Sequence, residues 1–277
     1  MLNDKCLGTN HKYGVKLRVL SFVDRFYPKI SPNDLLTHAR ALMRDLALRM
    51  LPVVNESGTL VGVIERKEVL TLSSTRSNAL VKDVMDTPRL TFKPDEDGEK
   101  AFKVMIEFDE WFVPVTKEPS NKYVGVLSLT SYLKEVLNKD HPKHSLKAEN
   151  VMTTDVEYVY PDDFISKLWR KMIKLNYSGF PVVRRKDMYV VGIITQHDLL
   201  RKGYTRIELE SESGPRHGAR VSEAMRSPPI TVKPYTKLVE VAMILVRNDI
   251  GRVPVVNDKG QLIGIIDRSD ACSAYLK

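Results

Sequence analysis

The chain has 277 residues, a net charge of +8 and 43% apolar content, which suits a globular protein with real cores and excludes a disordered polymer. Its longest apolar runs are of strand length and the N-terminus, MLNDKCLGTNHKYG, lacks the apolar region of a secretory leader, so no membrane span is expected. Two cysteines, Cys6 and Cys272, exclude a disulfide framework and point to a reducing, cytoplasmic setting. No Cys/His cluster has metal-ligand spacing, and the basic residues are spread out. That spread favours a solvated surface or phosphorylated small molecules over nucleic acid.

In chain order, one unit recurs four times. Pro32, Pro94, Pro161 and Pro234 each open a helical pattern, and a second proline follows twenty residues later at Pro52, Pro114, Pro181 and Pro254. The second proline sits in LPVV, VPVT, FPVV and VPVV, and ten or eleven residues on comes a glycine in a strand-like run, at Gly62, Gly125, Gly192 and Gly264. Repeated spacing of this kind marks a repeat architecture. Each unit reads as a short extended piece, an amphipathic helix, two strands joined by a turn, and a closing helix. The polar pairs Asn33/Asp34, Asp95/Glu96, Asp162/Asp163 and Tyr235/Thr236 are expected to cap the opening helices. Met43, Met105 and Met172 fall at core positions of those helices, and Trp111 and Trp169 are expected to pack in the core or between units. The turns at 55–58 (NESG) and 257–260 (NDKG) carry hairpin chemistry.

A three-stranded unit covered on one side must bury its other face, so the economical solution pairs unit one with two and three with four. The expected boundaries are an N-terminal extension at 1–18, repeats at 19–74, 79–138, 148–204 and 221–277, a polar linker at 139–147 and a break at 205–220. The fold class is α+β, in βαββα units.

Each unit ends where a strand meets a helix, a place where backbone N–H groups favour anions. In unit three, YVVGIITQHDLL, Thr195 and Asp198 have the spacing of a capping box. Unit four carries Asp267 and Asp270, unit two Ser128 and Ser131, and unit one Glu65 and Glu68. Capping alone explains much of this pattern.

The four units, with hhPVV followed by hhGhh(T/S/D)xx(D), resemble CBS domains from about residue 20 to 275. The arrangement is similar to stand-alone archaeal CBS proteins and to the γ subunit of AMP-activated protein kinase. The resemblance implies four CBS repeats paired into two Bateman modules. It implies a non-enzymatic sensor that binds AMP, ADP, ATP or S-adenosylmethionine between paired repeats and signals to a regulated protein, with a homodimer as the common assembly. In the family's motif the hydroxyl and the Asp contact the ligand, the Asp gripping both ribose hydroxyls. That selects Thr195 and Asp198 first, then Asp267 and Asp270, with units two and one below them. A base is expected against Thr153, Asp155, Val156, Ser178, Gly179, Phe180 and Pro181 in unit three, where Gly179 admits a close approach, and against Ile230 and Val253 in unit four. Arg252, and secondarily His197, are the phosphate candidates. The rival readings are a ligand-free scaffold for dimerisation or docking and, less favoured, a nucleic-acid-associated protein.

Overall fold

The structure is a computed structural model that describes residues 17–70, 78–204 and 218–277. Cys6, most of the N-terminal extension and most of the break at 205–220 lie outside the described residues. Each unit supplies one antiparallel hairpin: β1 (Met50–Val54) with β2 (Leu60–Glu65), β3 (Phe112–Lys117) with β4 (Lys122–Ser128), β5 (Gly179–Val183) with β6 (Val190–Thr195), and β7 (Arg252–Val256) with β8 (Leu262–Asp267). An opening helix precedes each hairpin, at Leu36–Asp45, Gly98–Glu107, Ile165–Leu175 and Leu238–Arg247. A closing helix follows, at Arg66–Leu70, Leu129–Leu137, Gln196–Arg201 and Arg268–Leu276.

The expected first strand is shorter than a strand. It makes one parallel bridge to its hairpin, at Ile30–Val53, Phe92–Val115, Val159–Val182 and Val232–Val255. This bridge explains the second proline. The Pro52 carbonyl accepts from the Ile30 N–H, and the Ile30 carbonyl accepts from the Val54 N–H, so the ladder asks for no donor at Pro52. The same pair of bonds surrounds Pro114, Pro181 and Pro254.

The polar pairs after the opening prolines do not cap helices. The helices start later, after Leu35, Asp97, Phe164 and Lys237. Instead Asp34, Glu96, Asp163 and Thr236 each fold back to accept the backbone N–H just before the proline, at 2.7–3.0 Å. They close a turn that aims the helix. The first N–H of each helix is satisfied by a carbonyl at or just before the start of the paired unit: Leu36 by Ala79, Gly98 by Leu17, Ile165 by Ala219 and Leu238 by Leu146.

Those carbonyls belong to lead-in segments that cross between paired units. The lead-in of unit one bridges unit two at Arg18–Asp97 and Asp24–Val126, and that of unit two bridges unit one at Leu35–Leu80 and Val63–Asp86. Units three and four exchange lead-ins in the same way, at Thr153–Ile265 and Ile193–Arg226. The repeated glycine marks the crossing. A Cβ on Gly192 would stand 2.8 Å from the Arg226 carbonyl oxygen, and one on Gly264 2.4 Å from the Met152 sulfur. Thus one joins two and three joins four as two modules, with the hairpin edges also meeting at Thr59–Lys122 and Tyr189–Gln261.

The helical faces form cores that cross from module to module. One core gathers Phe102, Leu129 and Leu133 of unit two with Leu238, Leu245 and Tyr275 of unit four. The other gathers Leu36, Met43 and Leu70 of unit one with Leu168, Trp169 and Leu199 of unit three. The helix Ile165–Leu175 shows why: Ile165, Leu168, Trp169 and Met172 recur at helical spacing and are all buried. Met43, Met105 and Met172 are core residues, as is Trp169. The 139–147 stretch is fastened rather than free. It holds a short 3-10 helix, Pro142–Ser145, and the His144 Nδ1 lies 3.0 Å from the Tyr275 hydroxyl of the last helix.

Candidate functional site

The four corners are built alike, because each second strand runs without a loop into its closing helix. Their side chains differ in what they do. At the unit-three corner Thr195 and Asp198 form the expected capping box. The Thr195 Oγ1 accepts from the Asp198 N–H at 3.2 Å, and one Asp198 oxygen accepts from the Thr195 N–H and hydroxyl at 3.0 and 2.6 Å. The other Asp198 oxygen is taken by Arg226 Nε at 2.5 Å, and the carboxylate is fully buried. Arg226 comes from the crossing lead-in of unit four. The carboxylate ranked first for ribose is therefore already paired on both oxygens.

His197 is committed too. Its Nε2 lies 3.0 Å from the Arg44 carbonyl of unit one and its Nδ1 3.2 Å from Arg226, so it ties module to module. Burial, followed by the cations Arg66 and Arg226 against the backbone bond, pulls its pKa below the usual imidazole range.

At the unit-four corner the Asp267 side chain accepts from the Asp270 N–H at 2.9 Å, and Asp270 accepts from the Asp267 N–H at 3.0 Å. No cation lies within ion-pair distance of either carboxylate among the described residues. Burial, and then the neighbouring Asp267 charge, push the Asp270 carboxyl up to about 7. A cleft of about 140 Å³ opens here, lined by Thr153, Asp155, Val156, Ser178, Gly179, Arg252, Asp267 and Asp270. The crossing lead-in decides that membership. Thr153, Asp155 and Val156, expected to serve the unit-three corner, stand against unit four instead. Ile230, expected at unit four, lines the cavity beside Thr195.

Other expectations change for similar reasons. Phe180 and Val253 are fully buried in the two helical cores and Pro181 is buried in its strand, and none of the three lines the cleft. The space beside Gly179 is used by its own hairpin. A Cβ there would stand 2.8 Å from the Ile194 carbonyl oxygen and from the Thr195 methyl. Arg252 donates to the Gly179 carbonyl at 2.6 Å and to the Ser178 hydroxyl at 2.8 Å, which ties β7 to β5.

Units one and two complete the set. Glu68 folds back to accept from the Glu65 N–H at 2.7 Å, so it fills its own corner as its length suggests. Burial raises it to about 7 against the pull of Lys67. Ser128 caps its helix by accepting from the Ser131 N–H at 3.2 Å.

The position three before the second proline has a role that sequence spacing did not disclose. Its four occupants, Arg49, Trp111, Ser178 and Gly251, meet at the centre of the molecule. The Arg49 guanidinium stacks 4.2 Å from the Trp111 ring, a Cβ on Gly251 would stand 3.0 Å from that ring, and Ser178 takes Arg252. Arg49, Trp111 and Ser178 line the unit-four cleft and two larger cavities as well, of about 540 and 480 Å³. Arg226 and Arg49 were both missed from sequence. Their repeat-relative positions were visible, but not the lead-in exchange and module packing that bring them to the corners.

The CBS domain family model matches residues 21–74, 81–138, 148–204 and 221–277. Over 274 residues the chain is 24% identical to protein MJ1225 of Methanocaldococcus jannaschii, covering 89% of this chain and 94% of that one. The crystal structure of MJ1225, which has been proposed as an archaeal homologue of g-AMPK, is similar with a TM-score of 0.80 and 22% identity, over 93% of this chain and 99% of its own. A conserved protein from Pyrococcus horikoshii is similar in fold with a TM-score of 0.63 and 24% identity, over 94% and 100% of the two chains. A stretch of 147 residues is 30% identical to inosine-5'-monophosphate dehydrogenase of Korarchaeum cryptofilum, which is 53% of this chain but only 28% of that enzyme. Four matched units, each with its crossing lead-in, hairpin and corner, place the chain in the CBS domain family as two pairs of repeats.

Proposed function

We propose that this protein is a regulatory sensor that binds an adenine nucleotide between repeats three and four and signals occupancy to a partner protein. One observation carries the reading. Stretches of chain at 153–156, 178–179, 252 and 267–270 converge on the cleft at the unit-four corner, and the two corner carboxylates, Asp267 and Asp270, have no cation within ion-pair distance among the described residues. An ionised Asp270 accepts two hydrogen bonds side by side, which matches a ribose diol. The cleft has the size of a sugar or base, and its wall at Arg49 and Trp111 leads phosphates toward the larger cavities. The unit-four corner thus replaces the unit-three corner as first candidate, because Asp270 is available where Asp198 is held.

Titration calorimetry with AMP, ADP, ATP and S-adenosylmethionine tests the reading. The expected result is one tight site for an adenosine ligand, with Asp270→Asn weakening it at least about tenfold, the loss of one charge-assisted bond. Absence of binding by all four below millimolar concentration sinks it. The scaffold reading keeps one specific support, the Asp198–Arg226 pair, which closes a corner without any ligand. Under that reading the nucleotides leave both self-association and partner capture unchanged.

A further inference from the structure

Unit three carries a surface that its three sister units lack. The extended piece before its opening proline holds Tyr158 and Tyr160, where the equivalent positions hold Lys29 and Ser31, Thr91 and Lys93, and Thr231 and Lys233. Arg185, at its hairpin tip, stands where the others place Glu56, Glu118 and Asp258. Lys171, on its opening helix, stands where the others have Leu42, Val104 and Ile244. Three units fold without these side chains, so the repeat itself does not require them. Over 157–189 Lys and Arg outnumber Asp and Glu seven to four, whereas over the equivalent 90–122 of unit two they are outnumbered eight to five, so the basic excess is not a property of the repeat either.

The fold gathers these residues on one face. The Tyr158 and Tyr160 rings meet edge to face, 5.6 Å between centroids. The Arg185 guanidinium lies 3.8 Å from the Tyr160 ring, and Arg184 covers Tyr189 at 5.1 Å. Asp162 accepts from Arg185 Nε at 3.2 Å, and Asp187 accepts from Arg184 Nε and Nη2 at 2.9 and 2.7 Å. Pairing of that kind grips a guanidinium by its edge and leaves its flat faces for stacking. The rings take one face of each; the side chains are still 53% and 47% exposed. Lys171 donates to the Tyr158 carbonyl at 2.8 Å, which brings the outward face of the helix Ile165–Leu175 alongside. That face presents Lys167, Arg170, Lys171 and Lys174, opposite the buried Ile165, Leu168, Trp169 and Met172. Lys167 and Lys171 are paired with Asp163 and Glu157. Arg170, Lys174 and Lys186 are exposed and have no carboxylate within ion-pair distance among the described residues.

We infer that this face of unit three binds single-stranded nucleic acid. Flat cationic platforms beside a row of unpaired cations suit that partner, because its bases stack on guanidinium faces and rings while its phosphates follow the cations. Arg185 on Tyr160 and Arg184 on Tyr189 are the platforms, and the outward helix face holds the backbone. A duplex keeps its base faces stacked inside and offers the platforms nothing. The parts come from 158–160, 167–174 and 184–189, so no basic-aromatic run shows in the sequence. None of the platform residues lines the unit-four cleft, so the strand needs no nucleotide there.

The test is fluorescence anisotropy of a labelled oligothymidylate of about 15 nucleotides, titrated with the full chain at low salt. Binding is expected, with log affinity falling against log salt at a slope of about −2, the value for three phosphates on three cations. An abasic chain of the same length is expected to bind at least about fivefold more weakly, the loss of one stacked base. Arg185→Lys keeps the charge and removes the plane, and is expected to weaken the oligothymidylate at least about fivefold as well. Lys103→Gln, on an exposed helix face of unit two, leaves binding unchanged. No binding at low salt, equal affinity for the abasic chain or for a duplex of the same length, or parent-like binding by Arg185→Lys overturns the inference. Displacement by excess AMP also overturns it, because the strand then occupies a nucleotide cleft. Displacement by polyglutamate at equal charge does so too, and assigns the face to an acidic polypeptide. The comparisons in the unaltered protein decide the matter by themselves if Arg185→Lys does not fold.

Discussion

At the scale of single residues, two aspartates at equivalent positions have different physical states. Asp198 is fully buried and paired with Arg226, while Asp270 is half-buried, with no cation within ion-pair distance among the described residues. Asp198→Ala removes a helix cap and an ion pair whose cation is 42% exposed. The loss of stability is therefore moderate, about 1–3 kcal/mol, measured by urea unfolding. Its effect on nucleotide affinity is expected to be small beside that of Asp270→Asn. The pH dependence has a definite sign. Asp270 and Glu68 both hold their protons to about pH 7 in the folded chain, against ordinary values of 3.8 and 4.5. A carboxyl raised on folding stabilises most below the unfolded value, and that contribution is lost as pH climbs through 7. Thermal unfolding is therefore expected to show stability falling from pH 5 to pH 8, with Asp270→Asn combined with Glu68→Gln flattening the slope. Under the proposed function, ribose binding selects the ionised Asp270, so nucleotide affinity is expected to rise from pH 6 to pH 8 and binding near pH 6.5 to release a proton. Calorimetry in buffers of different ionisation heat reads that proton.

At the scale of elements, the repeat works because three devices agree. The second proline stands where the ladder needs no donor, the side chain two after the opening proline closes a turn, and the glycine of the second strand lets a lead-in cross. The glycine is the sharpest test. At Gly192 the nearest obstacle is the Arg226 carbonyl, part of a backbone hydrogen-bonded both ways to Ile193, so it has little freedom to retreat. Gly192→Val is expected to cost about 1–3 kcal/mol, the usual penalty of overpacking, and to loosen the Arg226 latch with it. Exchange of the Ile193 and Arg226 amide protons reports both effects. Protection unchanged from the parent chain would show that the crossing tolerates a side chain.

At the scale of the whole molecule, strands join the units within a module and helices join the modules. Each core mixes both modules, unit one with three and unit two with four. A single module cut at the linker would expose its helical face, with Leu168, Trp169, Leu238 and Leu245 uncovered. Residues 139–277 expressed alone are therefore expected to self-associate or aggregate, as seen by light scattering, while the full chain unfolds in one calorimetric transition. Two well-separated transitions in the full chain would mean that the modules are energetically independent.

The repeat, its hairpins, its helical faces and the pairing of neighbouring units were legible in the sequence, because each depends on local spacing: 20 residues between prolines, helical periodicity, turn chemistry. The chemistry at the corners was legible in type, a carboxylate where strand meets helix. Which carboxylate stands ready was not. Asp198 looks the better choice until Arg226, 28 residues away, arrives on a crossing strand and takes its second oxygen. Likewise Thr153 belongs by sequence to unit three and by contact to unit four. Local propensity sets the shape of each unit; only the exchange of lead-ins and the packing of helix faces determine which charges meet. Those contacts join residues far apart in the chain, and nothing in the local spacing encodes them.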